Sequence, residues 1–191
     1  MTIKTFYALN NVNFYRDGTY ENIIRGLRTK GTMHGRGYYS MFFSGFWKVV
    51  HRMIAEGFVH NYAPKKLKIV DHIRGDGDNS ADNLRYVNRK LNAINNKCLG
   101  VCFDRNGSWR ATFQMKHLGV FKNSRDAIRA VQKAKRIAFA SEWNRVTGQT
   151  TKPEDHIMAF DFPPFSTSTK SVARGLKNNP ENTKLGPFKW P

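Results

Sequence analysis

Asp71 and His72 stand side by side at the end of the apolar run Leu67-Lys68-Ile69-Val70, with Asn83 and Asn92 downstream of them. A carboxylate and a side-chain amide oxygen are hard donors of the kind Mg2+ accepts beside waters and phosphate oxygens. An imidazole titrates near neutral pH and can take a proton from water. Neighbouring side chains on a strand point to opposite sides, so Asp71 and His72 divide the work: one holds a cation, the other activates water. The chemistry this suggests is metal-assisted hydrolysis of a phosphate ester, for which His72 is expected to reach solvent.

The segment "DHIRGDGDNSADNL" has two other readings. Asp76, Asp78, Ser80 and Asp82 alternate as in an EF-hand, but the sixth position of such a loop is Ala81, not glycine, and the twelfth is Val87, not glutamate. A calcium loop is therefore excluded. A polar turn accounts for Asp76, Asp78 and Asn79. It does not account for Asp71-His72 or for Asn92.

The elements that must position these residues follow from spacing. Residues 1–46 mix β-formers with turn pairs such as Asp17-Gly18, and "GRGYYSMFFSG" reads as a strand. Val49, Val50, Met53, Ile54 and Phe58 predict a helix over 47–57, and a strand then leads into Asp71. Leu84, Val87, Leu91 and Ile94 recur at helical spacing and predict a second helix, with Asn79 or Ser80 as its N-cap. In that scheme Arg74 and Arg85 are solvated arginines or phosphate contacts, and His51 is a structural histidine.

"VDHIRGDGDNSADNLRYVNRKLNAINN", preceded by "VHRMIAEGFV", resembles the HNH motif of phage and intron homing endonucleases over about residues 36–96. The resemblance implies a ββα-metal nuclease core. It makes His72 the general base, Asp71 and Asn92 the ligands of one divalent ion, Mg2+ or Mn2+, and Asn83 the loop-bracing residue. The loop between His72 and Asn83 is one residue shorter than the usual phage pattern, which leaves Asn88, Asn95 and Asn96 as fallback ligands. The alternative is a DNA-binding regulator or architectural protein with a degenerate HNH fold.

A second unit begins near residue 98. "GVCFDRNGSWRATFQMKHLGVF" alternates, placing Val101, Phe103, Trp109, Ala111 and Phe113 on a core face. A helix follows, with Ser124 as the expected N-cap. Together they resemble the three-stranded sheet plus helix of the plant ethylene-response-factor DNA-binding domain. Arg110, Thr112, Gln114, Lys116 and His117 match its contacting face, whereas Cys102 and Asp104 stand where that family has arginines. By chemistry Arg110 suits guanine and Gln114 adenine.

The 191 residues carry a formal net charge of +18, a field that draws polyanions. No apolar run approaches the roughly 20 residues of a membrane span, and the two cysteines, Cys98 and Cys102, fall short of a zinc set. The expectation is an α+β protein: an N-terminal β-rich segment (1–35), an HNH nuclease domain (36–97), a three-stranded antiparallel sheet plus helix module (98–144) and an extended basic tail (145–191). It is expected to be a monomer that acts on double-stranded DNA in the cytoplasm, of the host if phage-encoded, with no membrane partner.

Overall fold

Short runs of aromatic and β-branched residues, broken by Asn-Asn, Asp-Gly and Ser-Gly pairs, fold the first part of the chain into hairpins. The computed structural model describes residues 6–34, 38–96, 100–104 and 106–161. Strands β1 (Phe6–Leu9), β2 (Val12–Tyr15), β3 (Tyr20–Asn22) and β4 (Leu27–Thr29) form one antiparallel sheet in that order. Asn10 and Asn11 join β1 to β2 with φ of 47° and 60°, the turn whose twist suits the strands it connects. A second sheet holds β5 (Thr32–His34), β6 (Tyr38–Phe43) and β7 (Phe46–Val49), with β6 in the middle. Then come α1 (Val50–Phe58), the two-stranded pair β8 (Ile69–His72) and β9 (Leu84–Val87), and α2 (Arg89–Ile94).

Two expectations are corrected here. The first helix begins at Val50, because Phe46–Val49 is taken up as the strand pairing with β6. Leu84–Val87 is a strand, paired antiparallel with Ile69–His72, and only Arg89–Ile94 is helical. Spacings of three and four residues do not separate a helical face from a short strand followed by a helix. Asn88, not Asn79 or Ser80, caps α2, accepting from Leu91 N at 2.8 Å.

Phe14, Met41, Phe43, Val50, Met53, Ile54 and Leu84 share one buried core, so β1–β4 pack with the later elements and residues 1–35 are not a separate body. The chain divides into two compact units between Ala93 and Ile94, in the last turn of α2. In the second unit β10 (Val101–Phe103), β11 (Trp109–Phe113) and β12 (Lys116–Phe121) make a three-stranded antiparallel sheet covered by α3 (Ser124–Thr147). Trp109 is completely buried with Val101, Ala111, Ile128 and Val131, as alternation predicts. Asn123 is the N-cap in place of Ser124, its side chain accepting from Asp126 N at 2.9 Å.

The helix runs on to Thr147 and ends at Gly148, whose φ of 76° is open to glycine at little cost. Beyond it Met158, Ala159 and Phe160 are buried, so a tail starting at 145 is corrected for residues 145–161. Residues 162–191 and Cys98 lie outside the described residues; Cys102 is half-buried on β10. The chain is thus a mixed α and β protein of several small antiparallel sheets and few helices. Among the described residues no helix is long and apolar enough to cross a membrane.

Candidate functional site

Strand β8 ends on Asp71 and His72, and the chain returns through an eleven-position loop closed by Ile73 N donating to Asn83 O at 2.8 Å. Within it Asn83 is 1% exposed and its side chain makes three bonds. Its Oδ1 accepts from Arg74 N (2.9 Å), while Nδ2 donates to Asp76 Oδ1 (2.9 Å) and Asp78 O (2.7 Å). Buried polar groups are costly unless paired, and this one is paired on both atoms. Burial pushes the Asp76 carboxyl up, but Asp78 N, the Arg74 guanidinium and the Asn83 amide outweigh it and hold it below its ordinary value. Arg74 forks onto Asp76 and Asp78 and so braces the loop.

Asp71 and His72 are both buried. Across the ladder Asp71 faces Arg85, whose Nε donates to Asp71 Oδ2 at 3.2 Å in a pair nearly closed to solvent. Arg85 is thereby a partner of the carboxylate and not a solvated arginine. His72 Nε2 lies 3.0 Å from Asn79 Oδ1. An amide oxygen only accepts, so the neutral ring carries its hydrogen on Nε2 and its lone pair on Nδ1.

The His72 ring is 8% exposed, which corrects the expectation of an imidazole open to solvent. Tyr38 of β6 stacks on it with centroids 6.1 Å apart, and His51 of α1 meets it edge-on at 4.8 Å. Burial, with smaller contributions from His72 and Arg52, pushes the His51 imidazole down to about 4. His51 is therefore uncharged at neutral pH.

The loop is also held from the first sheet. Arg16 O accepts from Ala81 N at 2.8 Å, Arg16 pairs with Asp82, and Gly18 sits against the Asn79 backbone. The sequence marks Gly18 as a turn residue and Asn79 as a turn or capping residue, but neither their approach to each other nor Tyr38 on His72 has a local signal, because each contact spans a long stretch of chain.

Asp71, His72 and Asn83 thus lie in one strand–loop–strand hairpin, and α2 follows directly. Asn92 is exposed on that helix, its N–H donating to Asn88 O at 3.0 Å. The fallback positions have structural duties: Asn88 caps α2, Asn95 Oδ1 accepts from Ala159 N at 2.8 Å, and Asn96 accepts from Lys135 Nζ. Among the described residues no cluster of three or more His, Cys, Asp or Glu side chains could hold a metal. Asp71 and Asn92 offer a carboxylate and an amide oxygen, donor types that suit a hard cation keeping most of its water.

In the second unit Arg110, Lys116 and His117 are exposed. Thr112 is half-buried and its Oγ1 donates back to Gly100 O at 3.2 Å. Gln114 is not on a strand. It forms the β11–β12 turn with Met115, at φ of 47° and 63°. A register shift between Ala111 and Thr112 sets His117 opposite Thr112.

The solved structure of the HNH homing endonuclease I-HmuI, described for its DNA binding and cleavage, resembles part of this chain. Identity is 30%, over 50% of this chain and 55% of the other, at a TM-score of 0.39. The chain spans about half the length of that protein. No protein-family model and no curated protein matches this chain.

Proposed function

We propose that this chain is a metal-dependent DNA endonuclease of the HNH homing type, with the β10–β12 sheet as its target-binding module. The observation that carries the reading is the joint placement of Asp71, His72 and Asn83: carboxylate and imidazole end one strand, and a buried amide braces the loop that follows. The +18 charge favours a polyanionic substrate.

In this reading His72 takes a proton from water on Nδ1, with Nε2–H held by Asn79. The resulting hydroxide attacks phosphorus, the P–O3′ bond breaks, and the leaving O3′ takes a proton from water, which gives a 5′-phosphate and a 3′-hydroxyl. Asp71 and Asn92 are the residues that would hold the ion, which supplies charge neutralisation at the phosphate and leaving oxygen. Arg85 shares Asp71 and keeps the carboxylate from carrying an uncompensated buried charge. Arg110, Lys116 and His117 face the duplex from the sheet, and Gln114 meets it from the hairpin tip.

One observation favours a second reading, a DNA-binding protein with a degenerate site: His72 is nearly covered and Asp71 is already paired with Arg85. A nicking assay on supercoiled plasmid with Mg2+ or Mn2+ separates the two. The nuclease reading expects the wild type to nick and His72→Ala to bind without nicking. Equal inactivity of both, with DNA binding retained, establishes the second reading.

A further inference from the structure

Helix α3 packs on its sheet through Ala127, Ile128 and Val131. A second stripe of the same helix, Arg129, Gln132, Lys133 and Arg136, follows at helical spacing and lines a groove of about 890 Å³. The short turns Pro153–Asp155 and Ala159–Asp161 belong to the segment that makes the facing wall. That wall is fixed in place. Arg136 Nη1 donates to His156 O at 2.8 Å and its guanidinium pairs with Asp161, while the His156 ring packs on Phe139 and Trp143. The groove is therefore preformed, and its volume is that of a small-molecule site.

Gln132 stands out in it. The residue is 5% exposed, yet its Oε1 is buried and accepts no hydrogen bond from a described residue. A buried amide left unpaired destabilises a fold, and an apolar side chain of similar shape is tolerated better. Departures of this kind are expected where a fold gives up stability for a site. A half-turn about the last side-chain bond exchanges the two ends of the amide, so Gln132 offers an adjacent donor and acceptor to a ligand in the groove.

The rest of the lining selects that ligand. Ile137 and Ile157, 50% and 55% exposed, give the groove apolar walls together with Pro153. Lys133 is exposed and makes no ion pair among the described residues, and it stands one helical turn from Arg129, so the helix side of the rim is cationic. Glu154 sets a carboxylate on the other side. A fatty acid matches the walls and the cations but leaves the amide unpaired. A nucleotide matches every feature. Its flat base suits the apolar walls, the donor and acceptor on the base edge suit Gln132, the phosphate suits Lys133 and Arg129, and the sugar hydroxyls donate to Glu154.

We propose that the α3 groove of the second unit binds a nucleotide, with Gln132 reading the base and Lys133 holding the phosphate. The site lies within that unit and goes beyond the nuclease reading, on which it does not depend.

The test titrates AMP into the full chain in metal-free buffer, because glutamine pairs with adenine through N6 and N7. Calorimetry and the thermal midpoint are the readouts. AMP is expected to bind with a Kd at or below about 1 mM and to raise the midpoint, whereas ribose 5-phosphate and inorganic phosphate bind at least about ten-fold more weakly. Gln132→Leu should weaken AMP about ten-fold while its own midpoint stays at or above that of the wild type, since the unpaired amide is gone. Lys133→Ala, at an exposed position, should weaken AMP and leave adenosine unchanged. A nucleotide reaches such a site free or as part of a strand, and single-stranded oligodeoxyadenylate separates the two. Displacement of AMP by the strand assigns the site to a base of a nucleic acid, and AMP binding that the strand leaves intact assigns it to the free nucleotide. No binding of AMP at about 1 mM, ribose 5-phosphate binding as tightly as AMP, or an unchanged AMP affinity in Gln132→Leu overturns the proposal.

Discussion

Gly18 lies so close to Asn79 that a Cβ at position 18 would stand 2.5 Å from the Asn79 carbonyl carbon and 2.7 Å from Ser80 N. Its φ of 87° is also one that only glycine takes at little cost. The β2–β3 turn thus presses on the residue whose side chain holds His72. Gly18→Ala is expected to cost about 1–3 kcal/mol in urea unfolding. It should lower nicking by more than the unfolded fraction explains, because Asn79 cannot stay in place without the turn giving way.

Asn83 gives the second prediction. Asn83→Ala removes the acceptor of Arg74 N–H and the donor to Asp76 and Asp78 O, all inside a nearly closed loop. A loss of about 2–3 kcal/mol is expected by chemical denaturation. Asn83→Asp keeps the acceptor for Arg74 N–H but sets a second carboxylate against Asp76, so it should fall between alanine and wild type at neutral pH. Equal stability of all three would show that the loop does not depend on this side chain.

Acid sensitivity follows from His51. The folded protein resists protonating this buried ring until about pH 4, whereas the unfolded chain takes the proton near its ordinary 6.5. Between those values the unfolded state binds more protons, so this contribution is fully present above about pH 6.5 and is lost as pH falls through 4. It amounts to at most about 3 kcal/mol. Thermal melts of wild type and His51→Phe from pH 7.5 to 4 should show the variant losing less stability on acidification; parallel curves would assign the effect elsewhere.

The β10–β12 sheet carries the last prediction. Arg110→Ala should relax sequence choice at a base pair while cleavage chemistry persists. Lys116→Ala should weaken binding to all sequences about equally and reduce the slope of log affinity against log salt by about 0.9, the release of one phosphate contact. Binding titrations at several salt concentrations, on selected and random duplexes, distinguish the two. An Arg110 variant that changes rate alone would remove the sheet from target choice.

Much of this was legible from local pattern. The turn at Asp17-Gly18, the burial of Trp109 and the strand ending at His72 all follow from alternation and turn chemistry, which act over a few residues. Leu84, Val87, Leu91 and Ile94 share one buried spacing that predicts a single helix, while Leu84–Val87 is a strand only through its ladder with Ile69–His72. The Asn123 cap was displaced by one position from Ser124, an ambiguity common to neighbouring polar residues at a helix start.

The sequence by itself determined that a carboxylate–imidazole pair would close an apolar strand beside a polar loop in a strongly basic chain, because residue type and parity are written residue by residue. Tertiary structure alone decided that Arg85 neutralises Asp71, that Gly18 props Asn79 against His72, and that Tyr38 and His51 cover the ring. Those contacts join residues from 7 to 61 positions apart through hairpin pairing and core packing, and no local preference encodes a partner at such a distance.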